Sequence, residues 1–423
     1  MRLPRMALVR QRFPRPRVED PARAVKEELG RIGVERIVKP GERIALTAGS
    51  RGIARIDVIM RALVDELKKL GAEPFIVPAM GSHGGATAEG QRRVIERYGI
   101  TEERVGAPII SSMEVVQVGE LSDGSPVYMD RHAAEADGVV VVNRIKPHTD
   151  FVGRIGSGLM KMITIGLGKK EGATLCHKLF FKYGFENVIR WVAREVLKTG
   201  KIKFGLAIVE NAYKEVARIE AVLPEELERR EEELFAEAKK LAGKLPFDEL
   251  DVLIVDKLGK DISGTGMDTN VIGRMMQNFE PEPERPFILR IVVLDLTEKT
   301  EGNAVGIGLA DFTTARLVRK MDRKATYTNS LTSLGPQKSR IPLYFDTDRE
   351  AIEAAFATVG IREPEECRAV HIKSTLHLEY VEISEPLLDE ARGRDDLEIL
   401  SDPEPLRFDE EGNLISRFDL MGV

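Results

Sequence analysis

The sequence predicts an α/β protein of two domains with mostly parallel sheets, and three observations predict it. From residue 43 onward short apolar runs alternate with amphipathic helical stretches, the order of a parallel sheet covered by helices. Gly138–Asn143 (GVVVVN) is a near-continuous apolar run, as a central strand buried on both faces requires. A charged helical stretch stops at Gly243 and Pro246 before a new strand begins at Asp251, which divides the chain into an N-terminal cofactor-binding and catalytic domain, 1–246, and a C-terminal domain, 247–423. The site is expected in the cleft between them.

In order along the chain, MRLPRMALVRQRFPRPRVEDP carries basic residues and prolines but no apolar core of signal-peptide length, and reads as an irregular surface arm. Arg43–Thr47 is a strand, Ala48–Gly52 a polar turn, and Asp57–Leu70 an amphipathic helix ended by Gly71. The unit then repeats: a strand over Pro74–Ala79, a glycine-rich loop over Met80–Thr87 (MGSHGGAT) and a helix over Ala88–Tyr98. Ligands of such sheets bind beyond the carboxyl ends of the strands, so the loops at Arg51, His83 and His148 face one crevice if their strands are neighbours. Lys203–Glu210 is a further strand, and Pro224–Lys244 is a helix whose apolar face is Leu227, Leu234, Ala238 and Leu241. Beyond it, Asp251–Asp256, Ile288–Leu294 and His371–Ser374 read as strands, with helices near Asp311–Lys320 and Asp348–Val359.

Composition narrows the function. With 63 basic residues against 69 acidic ones the net charge is −6, so the chain has no basic field for nucleic acid, and no run approaches the roughly 20 apolar residues of a membrane span. The only cysteines, Cys176 and Cys367, form no framework or CxxC pair, which points to reducing cytoplasm.

The chemistry-bearing residues gather in the first half. His83 lies in GSHGG, where glycines permit positive φ and close backbone approach; the plain alternative is a histidine exposed on a turn. His148 follows Pro147 just past the apolar strand, where α/β folds place functional side chains; the alternative is a histidine capping a strand end. Lys161 stands among apolar and small residues in IGSGLMKMITIGLG, a setting for a desolvated nucleophilic amine, against the alternative of a lysine snorkelling from a helix. The glycine-rich stretch holding Gly156, Ser157 and Gly158 could let backbone amides approach an anion. It is no Walker loop, because Leu159 stands where GxxxxGK[ST] requires lysine, and no complete Rossmann fingerprint is present. His83, His148 and His177 would also suit a hydrolytic zinc site, and a nonenzymatic ligand-binding protein of the same fold is a further alternative. A structural role suits His371 and His377 better, although six residues apart they would share one face of a continuous strand. In the second half, Gly259–Asn270 (GKDISGTGMDTN) holds Asp261 and Asp268 as candidates for substrate hydroxyls or a metal, and Lys320–Lys338 is either an anion-holding run or a solvated surface.

The order Arg51 in TAGSRG, His83 in MGSHGG, His148 in KPHTDF, Lys161 in SGLMK and His177 in TLCHK resembles the nickel-dependent lactate racemase family. The resemblance covers most of residues 40–180, and its sharpest element is the 16-residue interval from Lys161 to His177. It implies a racemase or epimerase of a 2-hydroxy acid that uses a nickel-pincer nucleotide made by separate maturation enzymes. Lys161 would tether that cofactor by a covalent thioamide, with Gly156, Ser157 and Gly158 beside it, and His177 would bind nickel. His83 and His148 would be the acid/base pair, and Arg51 would hold the substrate carboxylate. The chain departs from the family pattern at Ala48, where an aspartate is usual, in a longer stretch between His148 and Lys161, and in lacking the second-domain glutamine and lysine pair in Gly259–Asn270. The substrate end of the pocket is therefore expected to differ more than the cofactor end.

Overall fold

The computed structural model describes residues 1–422, which form two units. One comprises 14–148 and 153–242; the other comprises 1–13, 149–152 and the chain from Gly243 onward. This division differs from a single cut at 246 because the first strand, β1 (Arg5–Gln11), belongs to the sheet of the second unit. The N-terminal segment is thus no irregular arm. Met6, Ala7 and Val9 are fully buried, and their apolar run is short enough to be masked in sequence by the flanking arginines and prolines.

The first unit is built on β2 (Arg43–Ala48), β3 (Glu73–Pro78), the antiparallel ribbon β4 (Val115–Glu120) and β5 (Pro126–Asp130), then β6 (Gly138–Arg144), β7 (Ile202–Glu210) and β8 (Val216–Val222). Its main sheet has the order β3-β2-β6-β7-β8, parallel throughout except for β8. The apolar run lies in the middle, as expected, with Val139–Val142 almost wholly buried. The helix over Ile56–Lys69 covers the sheet with Ile59, Met60, Leu63, Val64 and Leu67, a stripe spaced three and four apart. Thr87 caps the Ala88–Arg97 helix by accepting from the Gly90 N–H at 3.1 Å. The charged helix is shorter than its sequence suggests: Pro224–Glu226 is a 3₁₀ turn and the α-helix covers Leu227–Leu241.

The second unit carries β9 (Glu249–Leu258), β10 (Phe287–Leu296), β11 (Phe312–Thr314), β12 (Leu343–Phe345), β13 (Ala369–Ile372), β14 (Tyr380–Ser384), β15 (Leu397–Ile399) and β16 (Glu404–Pro405). The order is β12-β11-β10-β9-β13-β14-β1-β15, with β16 also on β1; β9 to β13 are parallel, and the remainder antiparallel. The expected helix at 311–320 begins instead as strand β11, because Phe312–Thr314 pairs on both sides before Thr314 caps a helix over Ala315–Lys320. Strand β13 stops at Ile372, so His371 and His377 do not share a continuous strand. Among the described residues no helix is long and apolar enough to cross a membrane.

Candidate active site

Strands β2, β3 and β6 are neighbours and run parallel, so their carboxyl ends stand at one sheet edge. Arg51, His83 and His148 follow those three ends, which meets the condition set from sequence. Two of the loops touch: Ser50 Oγ lies 2.5 Å from His83 Nδ1. Arg51 is open to solvent at its surface, yet loss of solvation holds its guanidinium below the ordinary arginine value, Tyr98 opposing this and Arg144 adding to it. A cation short of hydration favours an anion, and a planar fork suits a carboxylate.

The His83 loop is held from beneath by residues the sequence did not single out. Gly81, Gly84 and Gly85 take left-handed φ, as expected of GSHGG. The buried Gln91 amide donates to the carbonyls of Gly81 at 2.8 Å and His83 at 3.3 Å. Lys169, without exposed surface, donates to Gln91 Oε1 at 3.2 Å and to the Pro78 carbonyl that ends β3, and pairs with buried Asp130 at 3.1 Å. Desolvation lowers its ammonium from the usual lysine value, and Asp130 opposes that. Lys169 also opens the helix Lys169–Tyr183, so one buried charge joins the His83 loop to the helix bearing His177.

Lys161 reaches the same edge by a different route. Lys146, two residues past the end of β6, exchanges two backbone hydrogen bonds with Ser157, at 2.8 and 2.9 Å. Asn143 Nδ2 donates to the Gly158 carbonyl at 2.7 Å. A Cβ on Gly156 would strike the Lys146 carbonyl and the Phe235 ring, and one on Gly158 would strike the Glu231 carboxyl group. Close packing therefore accounts for both glycines, and the Ser157 amide is already committed to Lys146. Behind this bend lies Glu231, wholly buried, whose Oε2 accepts the Met160 N–H at 2.8 Å while Oε1 has no hydrogen-bond partner. Burial pushes its carboxyl up to about 7, against the pull of the Met160 and Leu159 amides and Arg190. The short helix Leu159–Lys161 so anchored runs into a π-helical stretch over Met162–Gly166, a form frequent at functional sites.

The consequence is a direct pairing: Lys161 Nζ stands 2.5 Å from His148 Nε2. His148 is 8% exposed and Lys161 half-buried, flanked by buried Met160 and Met162. From His148 a row of rings leads to His177: Phe185 at 6.1 Å, Phe180 stacked on Phe185 at 4.1 Å, and His177 edge-on to Phe180 at 5.4 Å. Cys176 plays no ionised part, since burial pushes its thiol up to about 12.

Among the described residues no three His, Cys, Asp or Glu side chains gather as a metal site. The zinc triad of His83, His148 and His177 is therefore not formed. A single imidazole with a nearby lysine would suit a metal that arrives with most of its donors on an organic group. In the second unit the candidates are already engaged: Asp261 accepts from Thr297 Oγ1 at 2.5 Å, Asp268 caps a short helix through the Asn270 N–H at 3.1 Å, and buried Lys338 pairs with Asp150 at 2.5 Å.

Comparison with known proteins bears on the fold. The fold is similar to the lactate racemase apoprotein from Thermoanaerobacterium thermosaccharolyticum, at a TM-score of 0.55 and 15% identity over 87% of this chain and 94% of that one. A Thermotoga maritima protein solved by the Northeast Structural Genomics Consortium is similar at a TM-score of 0.49 and 14% identity, over 85% and 98% of the two chains. No curated protein matches the sequence. Residues 8–186 match the lactate racemase N-terminal domain.

Proposed function

We propose that the protein is a racemase or epimerase of a 2-hydroxy acid, carrying a nickel-pincer nucleotide on Lys161 with His177 as the protein's ligand to nickel. The observation that carries this reading is the convergence of Arg51, the Ser50–His83 pair and the His148–Lys161 pair on the carboxyl edge of three adjacent parallel strands. When bound, the nucleotide supplies a site that accepts and returns the hydride of the substrate's C2. Arg51 binds and orients the substrate carboxylate. In the tautomer whose Nδ1–H donates to Ser50 Oγ, Nε2 of His83 is the acceptor nitrogen that would take the hydroxyl proton. His148 serves the other enantiomer once the Lys161 amine has been consumed in the tether and no longer occupies its Nε2. Two imidazoles suit racemisation because each enantiomer needs its own base near neutrality. The reading includes a cytoplasmic setting and loading by separate maturation enzymes.

The test is protein made together with cofactor-maturation enzymes, analysed by peptide mass spectrometry and nickel content and then screened against 2-hydroxy acids by chiral chromatography. An adduct on the Lys161 peptide with inversion of one acid is the expected result. His83→Ala should slow inversion by roughly 10²-fold or more while retaining the adduct, and His148→Ala should slow it as much per loaded site. Stoichiometric zinc without an adduct, or full turnover in both variants, defeats the proposal.

A further inference from the structure

We propose that His148 is also the base that activates Lys161 for its own acylation, so that the chain assists the covalent step by which it is loaded. The inference rests on the reading of Lys161 as the tether, and its carrier is the 2.5 Å separation of Lys161 Nζ from His148 Nε2. An amine attacks carbon only without its extra proton, and an ordinary lysine, with a pKa of about 10.4, holds that proton at neutral pH, whereas an ordinary imidazole, at about 6.5, is free to accept one. A direct transfer before attack is uphill. The neutral fraction of the amine therefore attacks, and as the N–C bond forms its nitrogen becomes positive and strongly acidic, so a base already in contact captures that proton.

The step balances without oxidant or reductant. Lys161 Nζ attacks the carbonyl or thiocarbonyl carbon of an activated carboxylic derivative, of the acyl phosphate or thioester class. Starting from the neutral amine, whose extra proton has already gone to solvent, the N–C bond forms, the bond from that carbon to its leaving group breaks with the electron pair on the leaving group, and one of the two protons then left on the positively charged nitrogen passes to His148 Nε2 and on to solvent. The structure favours this in two further ways. Glu231 and Asn143 pin the bend that presents Lys161, through the Met160 N–H at 2.8 Å and the Gly158 carbonyl at 2.7 Å. Phe185 stands against the His148 ring, 6.1 Å between centroids, and limits its exposure to water. The product is a neutral amide, which ends the competition for Nε2 and leaves His148 available to a substrate.

The experiment uses the full chain made without the cofactor and treated with acetyl phosphate at neutral pH, with acetylation followed lysine by lysine by peptide mass spectrometry. Lys170 and Lys178, exposed on the helix that carries His177, are the internal references. The quantity read is the Lys161 rate in the wild type divided by that in His148→Gln or His148→Asn, each normalised to the references. We expect a fall of about 10-fold or more at Lys161, the low end of general-base assistance, with Lys170 and Lys178 unchanged. An unchanged or faster Lys161 rate in both variants overturns the proposal. A measurement without any variant guards against misfolding: acetylation of wild-type Lys161 should slow in D₂O more than that of Lys170, and equal slowing counts against base assistance. The two readings fail separately. An adduct on Lys161 with no His148 dependence sinks only the activation step, whereas His148-dependent acetylation with no adduct in co-produced protein sinks only the tether.

Discussion

Polar and glycine-rich loops follow strands in both sheets, yet they close differently. Past β9 and β10 the loop Gly259–Asn270 turns inward: Lys260 donates to the Gly264 carbonyl and to Asn329 at 2.6 Å, Thr297 donates to Asp261, and the Asp268 N–H donates to Thr375 at 2.8 Å. Past β2, β3 and β6 the chemistry-bearing side chains reach from one loop to another, as Ser50 does to His83 and Lys161 to His148. Composition alone does not separate a working loop from a structural one; the partners do. Histidines repeat the contrast. His371 lies wholly buried between Asp256 at 2.6 Å and Glu382 at 2.7 Å. Desolvation lowers its pKa, but the two carboxylates outweigh that and raise it to about 10, so it stays a protonated strut. His148 instead faces an amine.

The largest effect should come from the strut. His371→Leu leaves buried Asp256 without its cation and Glu382 with Arg417 alone, and should cost about 3–5 kcal/mol in a denaturant titration. Because the folded value lies above the unfolded one of about 6.5, the stabilisation is complete below that pH and fades as pH approaches 10. The gap between wild type and variant should therefore narrow in alkali, and a pH-independent gap would break the contrast. Next is Lys169→Met, which strands Asp130 and should also cost about 3 kcal/mol, whereas adding Asp130→Asn should recover a substantial part. If the double variant is no more stable than the single, the pair is not the support of the His83 loop.

Glu231→Gln sharpens the comparison from within the site. Burial raises this carboxyl, so the wild type loses stability as pH rises from about 4.3 to about 7, by up to about 3 kcal/mol, while the glutamine variant is flat through that window. Equal slopes for the two proteins between pH 5 and 8 would show that Glu231 is not the buried acid described. The smallest expected change is in His83→Ala, an exposed loop position whose loss should move stability by less than about 0.5 kcal/mol while removing inversion. A large stability loss there would make His83 a strut like His371.

The alternation of strands and helices, the buried run over Gly138–Asn143 and the loops bearing Arg51, His83 and His148 were legible in sequence because hydrophobic period and glycine punctuation are local signals. Strand β1 was not, since Met6–Val9 is too short to declare itself between arginines and prolines and gains its burial from β14 and β15, distant in sequence. Glu231 escaped for a related reason. It sits in a helix of charged residues where nothing marks it as the one turned inward, and only the packing of Gly158 beneath it does so. For Gln91 and Lys169 the only signal was a polar residue at a position facing the core, readable after the helices are placed. The glycines at 156 and 158 were visible, but their reason was not: an anion cradle and a close backbone crossing leave the same letter.

By itself the sequence determined the class of fold, the order of the site residues and the 16-residue spacing of Lys161 and His177, because backbone propensity, burial period and family pattern are written along the chain. Only the tertiary structure decided which polar groups meet. Hydrogen bonds and ion pairs form between residues far apart in sequence, and a buried polar group is tolerated only where such a partner stands, so the pairing of Lys161 with His148 and the enclosure of His371 are properties of the assembled sheets.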